Sequence, residues 1–345
     1  MSDELRSAAP SAHITMQDVA ARAGVSAQTV SNVINGRSDH VGPETMQRVI
    51  DAINELGYRL NQSARSLRRG RTGIVGLAMP SLATEYYAEL AERLAERFAA
   101  RGIRMVTEMT WHAITDEMES LAASHLETYD GFILALAVSE SSDLDGLKPS
   151  KPIVLLGERA LSARFDHVLM DNQGGGRMAT LALMDRGARR IVALGGATEG
   201  SESVETLRTR GYLQAHEERG LDVRDDLIVP GGLHIDDGYA AMRAILEAGT
   251  PFDAVFALTD SCAIGALRAL QEAGRRIPED VQVVGFDNLR AGAFATPSLS
   301  TVEPGNDEMA DIIVDLMMER LSGRGPAGPR HIVSKADLVL RESTR

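Results

Sequence analysis

The stretch from Thr15 to Gly36, TMQDVAARAGVSAQTVSNVING, constrains this chain more than any other. Thr15 followed by Asp18 three residues on is a helix start of the capping-box type. Val19, Ala20 and Ala23 recur at helical spacing, and Gly24 breaks the helix where a tight corner needs a left-handed residue. Ser26 is placed to cap a second helix, which stops at Asn35-Gly36. Ala20 is small where two helices cross closely, and Val30 is apolar where the second must pack back on the first. The pattern predicts a helix-turn-helix whose second helix keeps its outer face free for a major groove. Ala27, Gln28, Ser31 and Asn32 lie on that face, with Thr29 near its edge. An ordinary helical corner is the plainer alternative; the agreement of start, turn and stop signals argues against it.

Residues 41–57 predict a third helix, with Pro43 in its first turn, Gly57 at its end and an apolar face of Met46, Val49, Ile50, Ile53 and Leu56. The expected organisation is a disordered tail at 1–13, a three-helix DNA-binding headpiece at 14–60 and a short linker at 61–71. The linker, NQSARSLRRGR, has helix-forming residues but is too short to be a stable helix alone. Charge supports the division. Residues 1–71 hold nine arginines, no lysine and seven acidic residues, an excess of +2 in a chain of net charge −13. A mildly basic head on an acidic body suits nucleic acid at one end only. A single cysteine, Cys262, excludes a disulfide framework and a cysteine-based zinc site. The start MSDELRSAAPSAH lacks an apolar core and no long apolar run follows, so the expectation is a cytoplasmic protein without membrane contact.

From Gly73 onward, apolar runs alternate with amphipathic helical stretches. GIVGLAM, IRMVTEM, GFILALAV and PIVLL form one series; IVALGG, AVFAL and VQVVGF form a second after Asp171. Helices are predicted near 86–101, 115–128, 174–187, 204–219, 236–248 and 261–274. Such alternation gives parallel sheets covered by helices, here two doubly wound lobes, with a ligand expected in the crevice at the strand carboxyl ends.

Headpiece, linker and two-lobe body in that order resemble the LacI/GalR family of transcriptional regulators. DVAARAGVSAQTVSNVING and ELGYRLNQSARSLRRGRTGIVGL carry the strongest likeness. YDGFIL, VLMDNQGGGRMAT, RTRGY, FALTDSCAIGALRAL, IPEDVQVVGFDN and LVLRESTR follow in the family's order. The resemblance implies an α/β fold in which a hinge helix joins the headpiece to a periplasmic-binding-protein-like body at 72–345. Its N-lobe would be about 73–171 plus 303–325, and its C-lobe about 172–302 plus 326–345. It also implies a homodimer, double-stranded palindromic operator DNA and a small sugar-like effector between the lobes. A dimer is expected in preference to a tetramer, because no heptad segment follows LVLRESTR.

Gln28 and Asn32 each have the donor and acceptor that adenine presents a match for in the major groove. Family members often carry arginine at the site of Asn32, so the operator is expected to differ at that base. Ala27 offers only a methyl contact, while Thr15, Ser26, Thr29 and Asn35 suit either phosphate contacts or plain capping and packing. By resemblance, Leu67 wedges into the central base step and Arg65, Arg68 and Arg69 meet phosphate. A dimer with about 6–10 phosphate contacts would lose roughly 10³–10⁵ in affinity between 50 and 200 mM salt.

For the effector, the resemblance points to Tyr86, Tyr87, Arg159, Arg208 and Asp287; for Arg208 and Asp287 an interlobe or local salt bridge is the plainer alternative. Thr259 stands where the family often has asparagine, and Leu233 where several members have a large aromatic. Two arginines leave a sugar, sugar acid or sugar phosphate open. Trp111 and His112 are placed to line the crevice or to sit in a surface loop. Gly174-Gly175-Gly176 opens a helix but lacks the lysine and spacing of a phosphate loop. No metal-ligand spacing or catalytic triad is legible, and neither a cofactor nor an enzymatic activity is expected. The reading is a DNA-binding regulator, most simply a repressor of carbohydrate-metabolism genes. A sugar-binding module without a regulatory role is the alternative, and it leaves residues 15–71 unexplained.

Overall fold

The computed structural model describes residues 14–34, 41–58, 71–144, 146–158, 164–326 and 328–345. The expected tail, Asn35, Arg65, Leu67, Arg68, Arg69 and Arg159 lie outside the described residues. The chain divides into two units, Met1–Arg71 and Thr72–Arg345.

In the first unit, α1 (Met16–Ala23), α2 (Ala27–Ile34) and α3 (Pro43–Leu56) surround a small core. Thr15 caps α1 reciprocally: its hydroxyl accepts from the Asp18 N–H and its own N–H donates to the Asp18 carboxylate at 2.8 Å. Gly24 ends α1 at φ 67°, which a side chain would oppose. Ala20 and Val30 are both buried, the latter fully, with Val19, Ala23, Val49 and Ala52. Of the face expected on α3, Ile50 is the exception, 39% exposed. One residue beyond Val49 is about 100° around the helix, so Val49, Ala52, Ile53 and Leu56 make the stripe and Ile50 falls off it.

The second unit contains two six-stranded sheets. The first takes β1 (Ile74–Met79), β2 (Arg104–Met109), β3 (Gly131–Ala135), β4 (Ile153–Leu156) and β5 (Asp166–Leu169). Between them run α4 (Glu85–Ala100), the short α5 (Ile114–Ser120) and α6 (Ala123–Leu126), and α7 (Ser141–Leu144). The helix expected over 115–128 is therefore two short ones. After α8 (Asn172–Asp185) the second sheet begins with β6 (Ile191–Leu194), α9 (Val204–Arg219), β7 (Ile228–Val229), α10 (Ile235–Ala248) and β8 (Ala254–Ala257). It continues through α11 (Asp260–Glu272), β9 (Gln282–Phe286), α12 (Arg290–Ala293) and β10 (Ser300–Glu303). Then come α13 (Asn306–Ser322), β11 (His331–Val333) and β12 (Asp337–Val339).

Strand order is β11-β5-β4-β3-β1-β2 in the first sheet and β12-β10-β9-β8-β6-β7 in the second. All described pairings are parallel except β10 with β12. The central strands β3, β4, β6, β8 and β9 are buried along their whole length, which is why they read as unbroken apolar runs.

One expected boundary is corrected. Residues 331–333 are expected in the C-lobe, but His331, Ile332 and Val333 pair in register with His167, Val168 and Leu169 of β5. The physical cause is Asp166. Its buried carboxylate accepts from Arg320 on α13 at 2.8 Å and from Arg330, just before β11, at 3.3 Å. Burial pushes that carboxyl up, but the two guanidiniums outweigh it and hold it below the ordinary range. The third crossing therefore falls at 334–336. Ser334 binds the three crossings together, its N–H donating to the Leu169 carbonyl at 2.9 Å and its hydroxyl to the Pro304 carbonyl at 2.5 Å.

Of the three glycines at the start of α8, Gly174 leaves room for the capping Asp171 carboxylate, and Gly175 and Gly176 serve packing. A Cβ on Gly176 would overlap the Arg208 carbonyl, and one on Gly211 of α9 would overlap the Gln173 carbonyl and Arg177 nitrogen. Gly238 and Gly265 play the same part between α10 and α11, against Cys262 and Ile235 carbonyls. In both helix pairs the backbones touch, which only glycine permits.

Candidate functional site

On the first unit, Ala27 and Gln28 are exposed while Thr29, Ser31 and Asn32 are half-buried. The Gln28 side-chain amide donates to Asn32 Oδ1 at 3.1 Å, an i,i+4 pair that holds the two side chains together on the helix surface. Asn32 keeps its own amide protons and a second lone pair on that oxygen. Thr15 has a capping role, and Ser26 caps α2, its hydroxyl accepting from the Thr29 N–H at 3.1 Å.

On the second unit, the lobes enclose a cavity of about 360 Å³ lined at the carboxyl ends of both sheets. α4 contributes Tyr86 and Tyr87, the loop after β4 Glu158, and α9 Arg208. The turn before α10 contributes Leu233, the start of α11 Thr259 and Ser261, and the end of β9 Asp287. The sequence-predicted Tyr86, Tyr87, Arg208, Leu233, Thr259 and Asp287 thus come together in one crevice.

Arg208, 2% exposed, organises its floor. Its Nε donates to Asn172 Oδ1 at 2.7 Å, Nη2 to Asp287 Oδ1 at 3.1 Å, and Nη1 to the Leu258 carbonyl. The guanidinium lies over the Phe286 ring, 3.5 Å from its centroid. Its charge is therefore balanced at the floor by Asp287. Asp287 sits at φ 110°, a conformation rarely adopted by a side-chain-bearing residue, just past the end of β9. Burial pushes its carboxyl up to about 6, with Arg208 pulling the other way.

Glu158 escapes a reading of sequence that fastens on its neighbour Arg159. The strand end after PIVLL is the signal that locates it. Burial pushes its carboxyl up to about 7, against the pull of Arg208 and the Asn172 amide. Tyr86 and Tyr87 meet edge to face at 5.3 Å between ring centroids, and the buried Tyr86 hydroxyl has no hydrogen-bond partner among the described residues. Burial raises the Tyr86 phenol well above its usual value, so it stays a hydrogen-bond donor. Thr259 is occupied structurally: its hydroxyl donates to the Leu233 carbonyl at 2.7 Å and accepts from the Cys262 N–H at 3.1 Å as the cap of α11.

Two buried acids absent from the sequence reading hold the walls. Glu117 accepts from the Ala137, Val138 and Ser139 N–H groups at 2.9, 3.2 and 2.9 Å, fixing the loop after β3. Asp260 accepts from the Leu289 N–H at 2.7 Å and the Thr301 hydroxyl at 2.5 Å, tying α11 to the ends of β9 and β10. At the entry to the unit, Asp130 accepts from the Thr72 and Gly73 N–H groups at 2.6 and 2.7 Å.

A raised carboxyl makes the folded state bind a proton that the unfolded chain has released. The stabilisation from protonated Glu158 is full below its ordinary 4.5 and is lost as pH rises through about 7. Glu158→Gln should remove this slope. Urea unfolding of wild type and variant across that window should show the variant gaining relative stability with pH, by on the order of 3 kcal/mol. Parallel curves would disprove the assignment.

No helix among the described residues is long and apolar enough to cross a membrane. Residues 15–61 match the bacterial regulatory proteins of the lacI family, and residues 180–344 match the periplasmic binding protein-like domain. The HTH-type transcriptional regulator CelR of Thermobifida fusca is 35% identical over 95% of this chain and 98% of its own length. The HTH-type transcriptional repressor PurR of Salmonella newport is 33% identical over 89% and 90% respectively. The solved transcriptional regulator CelR–cellobiose complex superposes with a TM-score of 0.69 at 32% identity, covering 96% of this chain and 99% of that one. With a helix-turn-helix at one end, two parallel-sheet lobes around a crevice at the other, and relatives aligned along nearly the whole length, the chain belongs to the LacI family of transcriptional regulators.

Proposed function

We propose that this regulator is a repressor of carbohydrate-metabolism genes, acting in the cytoplasm, whose hold on a palindromic operator is set by a neutral sugar bound between the lobes. The observation that carries the reading is the cavity floor. Asp287 and Glu158 offer carboxyl oxygens to hydroxyl protons, and the Tyr86 and Tyr87 rings offer apolar faces to a pyranose. Arg208 already spends its charge on Asp287 at 3.1 Å, so among the described lining residues no arginine or lysine is left for an acid or phosphate. This favours the neutral sugar among the three chemistries that two arginines leave open. The cellobiose held by the CelR relative supports a sugar, and the name of the PurR relative supports repression.

On this reading two copies pair, Gln28 and Asn32 read bases, Thr15, Ser26 and Thr29 border the phosphates, and Ala27 and Ser31 complete the surface. Arg65, Leu67 and Arg68 form the minor-groove hinge and Asn35 a phosphate contact. The test is fluorescence anisotropy on a palindromic site from the protein's own upstream region, with neutral sugars, sugar acids and sugar phosphates titrated in. A neutral sugar should shift operator affinity by tenfold or more, about 1.4 kcal/mol of coupling. The direction of the shift separates inducer from corepressor. A response to sugar phosphates alone would overturn the neutral-ligand reading, and no salt-sensitive specific binding would overturn the operator reading.

A further inference from the structure

The inner cavity does not close the crevice. A second, more open cavity of about 480 Å³ lies outside it, and His112 and His234 line both. The outer cavity is bounded by Glu85 at the start of α4, by Trp111 and His112 after β2, and by Ile235 and Asp236 at the start of α10. Where the two chambers meet, the Ser261 hydroxyl of the inner one donates to Glu85 Oε2 of the outer one at 2.7 Å.

Trp111 is the most unusual side chain here. It is 64% exposed, although a large aromatic in solvent forgoes the burial that normally stabilises it. Its backbone is also unfavourable. Trp111 and His112 follow each other at φ 49° and 57°, a left-handed pair with no glycine. The turn is held by the Thr110 N–H donating to the Met79 carbonyl and the Ala113 N–H to the Thr110 carbonyl, both at 2.9 Å. An aromatic plate displayed by a strained, well-anchored turn, on a cavity that two imidazoles and two carboxylates also line, is a carbohydrate-recognition chemistry. The plate packs on the C–H face of a ring, and the polar rim takes its hydroxyls.

Building on the sugar-effector reading, we propose that the outer chamber is a second sugar subsite. The effector is then an oligosaccharide whose first ring occupies the inner chamber and whose next ring leaves the crevice across Trp111. Both chambers are of the size that holds small ligands, and their shared histidines make one continuous path.

Trp111 is the only tryptophan in the chain, so its emission reports on this subsite alone. The full-length protein should be titrated with β-1,4-linked oligomers of glucose, galactose, mannose and xylose, one to four rings long. Calorimetry and tryptophan emission should be read together. The ring that reaches Trp111 should raise affinity tenfold or more, shift the emission and shield it from acrylamide. Trp111→Ala should abolish that gain, and Trp111→Phe should keep most of it. If a short member binds, longer ones gain nothing and emission is the same free and bound, the subsite is overturned while the sugar-effector reading stands. If no member of any series binds, the effector reading fails for these sugars and the subsite falls with it.

Discussion

Replacing Arg208 with alanine should cost about 3–5 kcal/mol of stability, because it leaves Asp287 buried without its partner. The same change removes the donor to Asn172 and the Leu258 carbonyl and the cation over Phe286. Arg208→Lys should recover little, since a single ammonium cannot reproduce a fork that reaches three acceptors. The loss should grow with pH. Asp287 already titrates near 6 with the guanidinium beside it, and without that cation its carboxyl rises further. A folded-state pKa above the unfolded one stabilises at low pH and loses that contribution as pH rises through it. Urea unfolding at pH 5 and pH 8 checks this. Arg208→Ala with Asp287→Asn should regain part of the loss, and an additive double mutant would show that the two side chains are not coupled.

Gly211→Ala should destabilise the second unit by about 3 kcal/mol or more, against the ordinary gain from placing alanine in a helix. The added Cβ would overlap backbone atoms of Gln173 and Arg177, which belong to α8 and cannot turn aside as a side chain would. α8 and α9 would have to part. Since the Arg208 carbonyl rests on Gly176 in that contact, the cavity floor should shift with them. Gly231→Ala is the control: it meets open space and should stay within about 0.5 kcal/mol of wild type. Equal melting temperatures for the two variants would refute the packing argument.

What the sequence made legible follows from how far each signal reaches along the chain. Thr15, Gly24 and Val30 act within one helical corner, so spacing alone reveals them. The central strands are buried on both faces and announce themselves as apolar runs. The edge strands β7, β11 and β12 are two or three residues long and mostly half-exposed, and a reading of apolar runs passes over them. The glycines of α8 are illegible for the opposite reason. Gly176 faces the backbone of Arg208 and Gly175 the ring of Phe286, both far along the chain, and nothing near either glycine names its partner. Resemblance brought Tyr86, Arg208 and Asp287 to one crevice. Glu158, Glu117 and Trp111 needed geometry, because an acid in a loop or short helix and an aromatic in a turn look alike whether solvated or functional.

The place of β11 also bears on how a ribosome delivers this protein. Its three residues pair onto β5, in a sheet whose first strand is made more than two hundred residues earlier. Synthesis runs at about 5–20 residues per second. The first lobe must therefore wait on the order of ten seconds or more, with β5 unpaired on one side, while the whole second lobe emerges. During that interval the exposed edge is open to any other strand, including the same edge of a neighbouring nascent chain. The arginines at 320 and 330 reach Asp166 only when that wait ends, and their arrival is the step that covers β5 and leaves the three-residue β11 as the edge instead.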